Sequence, residues 1–224
     1  MKIINNRKII SLEELSQEEF VLFDTSPLMH PLGKSSRDFG YSQVVEKIRV
    51  IKRNTGFIYQ MINKLENGTN FFTIQPVLDE LLGGNVYKPP KGFEKGNMGR
   101  DSYVLKLRQM MLKREEEKIK LAESFSKNKR IISSIREDDY YSYLENNYKK
   151  VIERNHLSDT DKELLFTGLY FAIFSVSTSL VINDYPLFYA GKEIVEREKI
   201  NKKNIKFFDR KGFSHFRLFE FRRK

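Results

Sequence analysis

The chain has 224 residues, enough for one sizeable hydrophobic core, and its 40 Lys and Arg against 30 Asp and Glu give a formal net charge of +10. This excess favours a polyanionic partner, with nucleic acid as the first expectation and an anionic membrane surface as the second. Because cysteine is absent, disulfides and thiolate metal sites are excluded, and any metal must be held by oxygen or imidazole ligands.

No segment resembles a secretion signal or a membrane span. Residues 1–20 mix basic residues with four glutamates and lack a long apolar run. The most apolar stretch, residues 164–182, is interrupted by serine and threonine, which suits a buried helix followed by a strand. We therefore expect a cytoplasmic protein without a membrane partner, built as a single domain over residues 1–224.

The first half of the chain predicts two strands, each followed by helical sequence. The apolar run Phe20–Phe23 is followed by Asp-Thr-Ser-Pro, which predicts a buried strand that ends at Asp24. Residues 42–65 place apolar side chains at helical spacing. A second strand, Phe71–Ile74, leads into a short helix that carries Glu80 and ends at a Gly-Gly pair.

The middle of the chain, residues 85–156, is predicted as a helical insertion or cap. A Pro/Gly-rich loop at 88–99 precedes a charged helical stretch at about 101–123, and a further helix ends near residue 155.

The second half again alternates helices and strands. A helix starts near Ser158, because Ser158 with Asp161 and Thr160 with Glu163 both have capping-box spacing. A strand at 179–182, a proline-led helix that reaches about residue 198, and a strand at 205–208 follow. This alternation predicts an α/β fold with a mostly parallel sheet.

Four acidic residues are the candidate site. Asp24, Glu80 and Asp184 lie at or shortly after the carboxyl ends of predicted strands, where ligand sites of open α/β sheets gather. Asp161 heads an in-line row that continues with small and apolar residues along one face of its helix. Converging carboxylates indicate a hard cation, Mg²⁺ or Mn²⁺, because buried carboxylates need a cation or hydrogen-bond donors.

Four motifs in chain order resemble the PIN-domain nuclease family. They are Val-Leu-Phe-Asp-Thr-Ser ending at Ser26, Thr-Ile-Gln-Pro-Val-Leu-Asp-Glu-Leu around Glu80, Leu-Ser-Asp-Thr-Asp ending at Asp161, and Leu-Val-Ile-Asn-Asp ending at Asp184. The resemblance implies a PIN-like three-layer fold in which Asp24, Glu80, Asp161 and Asp184 are the catalytic and metal-binding residues, supported by Thr25 and Asn183. It also implies hydrolysis of phosphodiester bonds, usually in RNA, with Mg²⁺ or Mn²⁺.

Each acid also has a structural interpretation. Asp24 and Asp184 suit turns, Asp161 suits the start of a helix, and Glu80 suits a solvated helix face. Asp79 and Asp159 compete with Glu80 and Asp161, and only the family pattern chooses between the members of each pair. The three histidines are widely separated and lack metal-ligand spacing, so they receive no catalytic role.

The C-terminal segment, residues 197–224, is basic and rich in phenylalanine. Cations with interleaved aromatic rings are one way to hold single-stranded nucleic acid. The alternative is that the rings complete the core, with Phe216, Leu218 and Phe221 finishing a sheet, and that the cations are solvated. The predicted nucleic-acid-binding residues are Lys202, Lys203, Lys206, Arg210, Lys211 and Arg217.

Three functions follow from these patterns. The first is an endoribonuclease that acts in RNA processing or as the toxin of a toxin–antitoxin pair, with an antitoxin or a processing-complex protein as partner. The second is a nuclease for single-stranded or structured DNA. The third is a nucleic-acid-binding or scaffold protein that keeps the fold without catalysis. A homo-oligomer is compatible with each of them.

Overall fold

The structure is a computed structural model that describes residues 9–10, 12–28, 41–83, 98–182, 184–201, 204–210 and 216–219. Its strands are β1 (Ile9–Ile10), β2 (Phe20–Phe23), β3 (Phe71–Ile74), β4 (Ile131–Ile132), β5 (Thr178–Val181), β6 (Ile205–Arg210) and β7 (Phe216–Phe219). Its helices are α1 (Leu12–Leu15), α2 (Thr25–Leu28), α3 (Tyr41–Glu66), α4 (Gln75–Gly83), α5 (Met98–Lys127), α6 (Asp139–Arg154), α7 (Asp159–Ile173) and α8 (Tyr185–Arg197).

The strands form a single sheet in the order β1-β7-β6-β5-β2-β3-β4. The five strands from β6 to β4 are parallel neighbours, while β7 pairs antiparallel with β6 and β1 pairs antiparallel with β7. The predicted α/β class with a mostly parallel sheet is therefore confirmed. Because parallel neighbours end at the same edge, β2, β3 and β5 present the residues that follow them on one side of the sheet.

Local sequence explains where several helices begin and end. Asp138 caps α6 by accepting the N–H of Tyr140, and Ser158 caps α7 through a capping box. Proline occupies the first turn of α8, where its missing N–H costs no helical hydrogen bond. Just beyond α3, Gly68 adopts a φ of 76°, a left-handed conformation that glycine reaches without strain.

Helices α7 and α8 lie very close to the sheet, and glycines permit this approach. A methyl group at Gly168 would lie 2.8 Å from a side-chain carbon of Leu180 on β5. A methyl group at Gly191 would lie 2.6 Å from the ring of Phe207 on β6. Larger residues at these two positions would push the helices away from β5 and β6.

The segment predicted as an insertion contributes directly to the main hydrophobic core. Strand β4 extends the sheet beside β3, and Leu121 and Phe125 near the end of α5 are buried in the main core. One face of α6 is buried there as well, including Leu144 and Val151. The amino-terminal part of α5 instead packs with α3 in a separate small cluster formed by Ile48, Ile51, Leu107 and Met111.

The element boundaries differ from the predictions mainly at the ends. Strand β5 begins at Thr178, one residue before the predicted start, and α5 extends beyond the predicted 101–123 in both directions. Strand β7 agrees with the alternative that the C-terminal phenylalanine-rich segment continues the sheet. Within the described residues, no helix combines the length and the apolar sequence needed to cross a membrane.

Candidate carboxylate site

The site begins where β2 and β5 end side by side. Phe23 lies opposite Val181 in the parallel pairing of these strands, and the backbone N–H of Asp24 donates to the Val181 carbonyl at 3.1 Å. Asp184 follows β5 and precedes the first residue of α8. Asp24 and Asp184 therefore lie at the same edge of the sheet, beyond two adjacent strands.

Asp24 is buried, with only 5% of the residue exposed. Its Oδ1 accepts the backbone N–H of Thr25 at 2.7 Å, and its Oδ2 accepts the hydroxyl of Ser26 at 3.1 Å. Both donors are neutral groups of α2. They orient the carboxyl group, but they do not neutralise the charge that it carries when ionised.

Thr25 connects Asp24 to Glu80 on α4. The Thr25 hydroxyl donates to Oε2 of Glu80 at 2.9 Å, while its backbone N–H is bonded to Asp24. Asp79, which the sequence did not separate from Glu80, accepts instead from the Gln75 side chain at 2.8 Å on the exposed surface. Of these two acids, Glu80 is the one that the structure links to Asp24.

Asp161 has a structural role at the start of α7. Its Oδ2 accepts the backbone N–H and the hydroxyl of Ser158 at 3.1 and 2.7 Å, and its own N–H donates to the Ser158 hydroxyl oxygen at 3.1 Å. The interpretation of Asp161 as a helix-start residue is thus confirmed. Its competitor Asp159 has a side chain that is 85% exposed and lies 3.2 Å from the ammonium group of Lys162.

Electrostatic interactions connect all four acids. Burial, followed by the negative charges of Asp161 and Glu80, raises the pKa of Asp24 to about 7, although the hydrogen bonds from α2 oppose this shift. Burial and the charge of Asp161 also raise the pKa of Asp184 above its ordinary value. The structure therefore places Asp161 and Glu80 close enough to Asp24, and Asp161 close enough to Asp184, to disfavour the ionised forms of Asp24 and Asp184.

Direct coordination of an ion is a more demanding arrangement than this electrostatic coupling. Carboxylate charges interact over several ångströms, whereas Mg²⁺ requires ligand oxygens at about 2.0–2.1 Å. In the part of the chain that the structure describes, no three acidic or histidine side chains are grouped tightly enough to hold one ion. The donor set is still the right chemistry for a hard divalent cation, because all of its oxygens belong to carboxylates.

Three of the six predicted C-terminal nucleic-acid-binding residues lie outside the described residues. They are Lys202, Lys203 and Lys211, and the predicted supporting residue Asn183 also lies outside the described residues. Arg210 and Arg217 lie on the paired strands β6 and β7. The structure does not bring Lys206 to the four acids of the candidate site. Lys206 is the second residue of β6, and its ammonium group donates to Glu18 at 2.6 Å.

An ion pair beside Asp161 was not anticipated from the sequence. Arg136, in the loop after β4, donates to the buried carboxylate of Glu163 at 2.6 Å. Because this pair joins the loop to α7, it supports the helix that carries Asp161. The sequence contained no local signal for it, since 27 positions separate the two residues.

An exposed aromatic pair on α8 was also missed. Tyr185 follows Asp184 directly, and its ring stacks against that of Tyr189, with centroids 6.4 Å apart and planes inclined by 29°. The tyrosines are 47% and 48% exposed. The available signal was their spacing of four residues after a candidate site aspartate, which places both rings on one face of a helix.

Comparison with family models, with curated proteins and with solved structures gives no match to this chain.

Proposed function

We propose that this chain is a divalent-metal-dependent nuclease of PIN type that hydrolyses phosphodiester bonds, with RNA as its preferred substrate. The observation that carries the proposal is the buried Asp24 at the end of β2, on which the charges of Asp161 and Glu80 act, with Asp184 beyond the adjacent strand β5. The motif resemblance and the parallel sheet with helices support the same conclusion, including the PIN-like three-layer arrangement. The net charge of +10 favours a polyanionic substrate.

The carboxylates fit Mg²⁺ or Mn²⁺ by charge and donor type. Burial and neighbouring negative charge disfavour the ionised forms of Asp24 and Asp184, and a cation beside these two carboxylates would favour those forms. Asp24 and Asp184 would be the central ligands, with Glu80 and Asp161 binding directly or through water. Coordination by three of them requires changes of side-chain rotamer, for which the exposed Glu80 has the most freedom. When bound, the ion supplies positive charge that polarises the phosphate and favours ionisation of the attacking water.

Thr25, Ser26 and Asp161 would each have a separate role in the site. Thr25 links Asp24 to Glu80, because its backbone N–H donates to Asp24 and its hydroxyl donates to Glu80. Ser26 fixes the second oxygen of Asp24. Asp161, whose backbone is held by the capping box, contributes charge from α7. An ionised carboxylate of this group would accept the proton of the attacking water as the P–O bond to the leaving group breaks.

The test is cleavage of labelled single-stranded RNA and DNA with Mg²⁺, Mn²⁺ or EDTA. We expect metal-dependent cutting that falls at least about 100-fold in Asp24→Asn, since general-base or ligand loss typically costs that much. Glu80→Gln should also reduce cutting. Asp79→Asn is its matched control, because the neighbouring Asp79 is exposed and bonded to Gln75. Equal loss in the Glu80 and Asp79 variants, or cutting that persists in EDTA, would contradict the proposal.

The RNA and DNA arms of this assay also separate the two nuclease hypotheses. Preference for RNA rests on the family resemblance alone, so faster cleavage of single-stranded or structured DNA would move the assignment to a DNA nuclease. The resemblance also suggests a role in RNA processing or as a toxin, with an antitoxin or a processing-complex protein as partner. A partner that covers the acidic edge would suppress cleavage when added.

A non-catalytic nucleic-acid-binding protein is the second candidate. It is favoured by the absence, among the described residues, of three acids grouped tightly enough to hold one ion. In this case RNA binding persists without cutting under all metal conditions, and Asp24→Asn leaves the affinity unchanged. Equilibrium binding and cleavage measured on the same protein samples distinguish the two.

A further inference from the structure

We infer that Tyr185 and Tyr189 form a stacking platform for an unpaired nucleobase beside the carboxylate site. The inference deepens the proposed nuclease function and rests on it for the identity of the ligand. It assigns a binding role to residues that take no part in the carboxylate chemistry.

The position of the pair connects it to the site. Tyr185 is the first residue of α8 and follows Asp184 in the chain, so its backbone begins at the edge of the sheet where the acids gather. Tyr189 lies one helical turn further on the same face. A nucleotide strand whose phosphate lies at the carboxylates would therefore have its next bases within reach of this face.

Both rings are exposed, and the ring of Tyr189 is supported from behind. About half of each tyrosine is accessible, at 47% and 48%. Phe188 contacts Tyr189 with ring centroids 5.5 Å apart, and it packs edge-on against the buried Phe207 of β6 at 5.7 Å. An exposed aromatic face held by a rigid core is suited to stacking, because little conformational freedom remains to be lost on binding.

The chemistry favours single-stranded nucleic acid over other ligands of an aromatic surface. A base in a duplex has both faces covered by its neighbours, whereas an unpaired base can stack on a tyrosine. Lys192 lies seven residues after Tyr185, on the same side of α8, and it adds a cation for the phosphate backbone. The overall charge of +10 attracts the same polyanion.

The absence of tryptophan from the chain permits a direct test. In Tyr185→Trp, a single indole reports on the platform while the aromatic face is retained. We expect saturating single-stranded RNA, in EDTA to prevent cleavage, to quench its fluorescence. An abasic oligonucleotide of equal length should bind through its phosphates without quenching. Tyr59→Trp is the matched control, because Tyr59 is 43% exposed on α3 and should show no quenching.

Binding measured by anisotropy of the labelled RNA gives the energetic counterpart. Tyr185→Ala and Tyr189→Ala should each weaken single-stranded RNA binding about 5- to 150-fold, the range expected for loss of one stacked base, and Tyr59→Ala should have no effect. Affinity for the abasic strand should be unchanged in all three variants. Lys192→Ala should instead weaken both strands and reduce the salt dependence of binding by about one ion.

Several outcomes would overturn the platform. They are unchanged affinity in both tyrosine-to-alanine variants, equal quenching by the abasic strand, or no binding by the wild-type chain. Self-association that is lost in Tyr185→Ala, without an effect on RNA binding, would assign the pair to contact with a second copy. Metal-dependent cleavage that requires Asp24 but not the tyrosines would leave the nuclease proposal intact while refuting the platform. RNA binding that depends on the tyrosines, without cleavage, would refute the nuclease proposal and leave the platform intact.

Discussion

Replacing Asp24 with asparagine should make the protein more stable at alkaline pH, although a buried polar group is altered. The pKa of Asp24 is raised from 3.8 to about 7, so the folded protein binds a proton that the unfolded chain releases between these values. Below about pH 4 the carboxyl group is protonated in both states. As the pH rises towards 7, the free energy of unfolding of the wild type falls.

The size of the effect follows from the shift. About three pKa units at about 1.4 kcal/mol each correspond to about 4 kcal/mol of lost stability above pH 7. The amide of Asp24→Asn is uncharged and keeps an oxygen to accept the Thr25 N–H, while the Ser26 hydroxyl can accept from its amide nitrogen. We therefore expect the variant to be about 2–4 kcal/mol more stable than the wild type near pH 8 and equal to it near pH 4.

Urea unfolding followed by circular dichroism between about pH 4 and about pH 8, with EDTA present, measures this difference. The stability of Asp79→Asn should instead follow that of the wild type at each pH, because Asp79 is exposed and Asp24 is retained. Adding Mg²⁺ near pH 8 should then stabilise the wild type and not Asp24→Asn, as preferential binding to the folded state requires. A stability difference that stays constant with pH, or a variant less stable near pH 8, would refute the assigned environment of Asp24.

Three further predictions concern packing and buried charge. Gly191→Ala should destabilise the protein by about 1–3 kcal/mol in urea unfolding, because the added methyl group meets the ring of Phe207 on the sheet. Gly56→Ala, with open space around it, should instead stabilise the protein by about 0.5–1 kcal/mol. A similar effect at both positions would contradict the packing of α8. Arg136→Ala should cost about 1–3 kcal/mol by leaving a buried oxygen of Glu163 without its donor, since the charge of the half-exposed Arg136 is screened by solvent, and the Arg136→Ala/Glu163→Gln pair should recover part of the loss. Glu117→Gln should raise the free energy of unfolding by about 1–3 kcal/mol, since the buried carboxylate oxygens of Glu117 accept no hydrogen bond from the described residues. A loss of stability would indicate that the charge of Glu117 has a partner.

The elements that could be predicted are those whose own sequence carries a strong signal. Strand β2 was recognised from a four-residue apolar run, and its buried pattern in the sheet explains that run. The start of α7 followed from the capping spacing of Ser158. The two-residue strand β4 was not predictable, because Ile131 and Ile132 become a strand only through pairing with the edge of β3.

The sequence was enough to predict which types of residue form the candidate site, but not which side chains contact one another there. Strand ends indicated Asp24 and Asp184 without further information. The distinction between Asp79 and Glu80 depends on the Thr25 hydroxyl, which lies 55 positions from Glu80 in sequence. The spacing of Tyr185 and Tyr189 indicated one face of a helix, but it did not show whether that face is buried or exposed.

The three buried acids of the described residues differ in a way that bears on function. Glu163 is matched by Arg136, and its burial is explained by that ion pair. Glu117 is buried on α5, between the buried basic residues Arg114 and Lys118 in sequence. Asp24 is buried where the charges acting on it come from other acids, and an asparagine would satisfy the same neutral partners at a lower energetic cost. A carboxylate in this environment reduces stability unless a cation joins it, and sites that sacrifice stability in this way are characteristic of function. Of these three acids, Asp24 is the one on which the charges of other acids act, and the proposed metal-dependent chemistry would explain its presence directly.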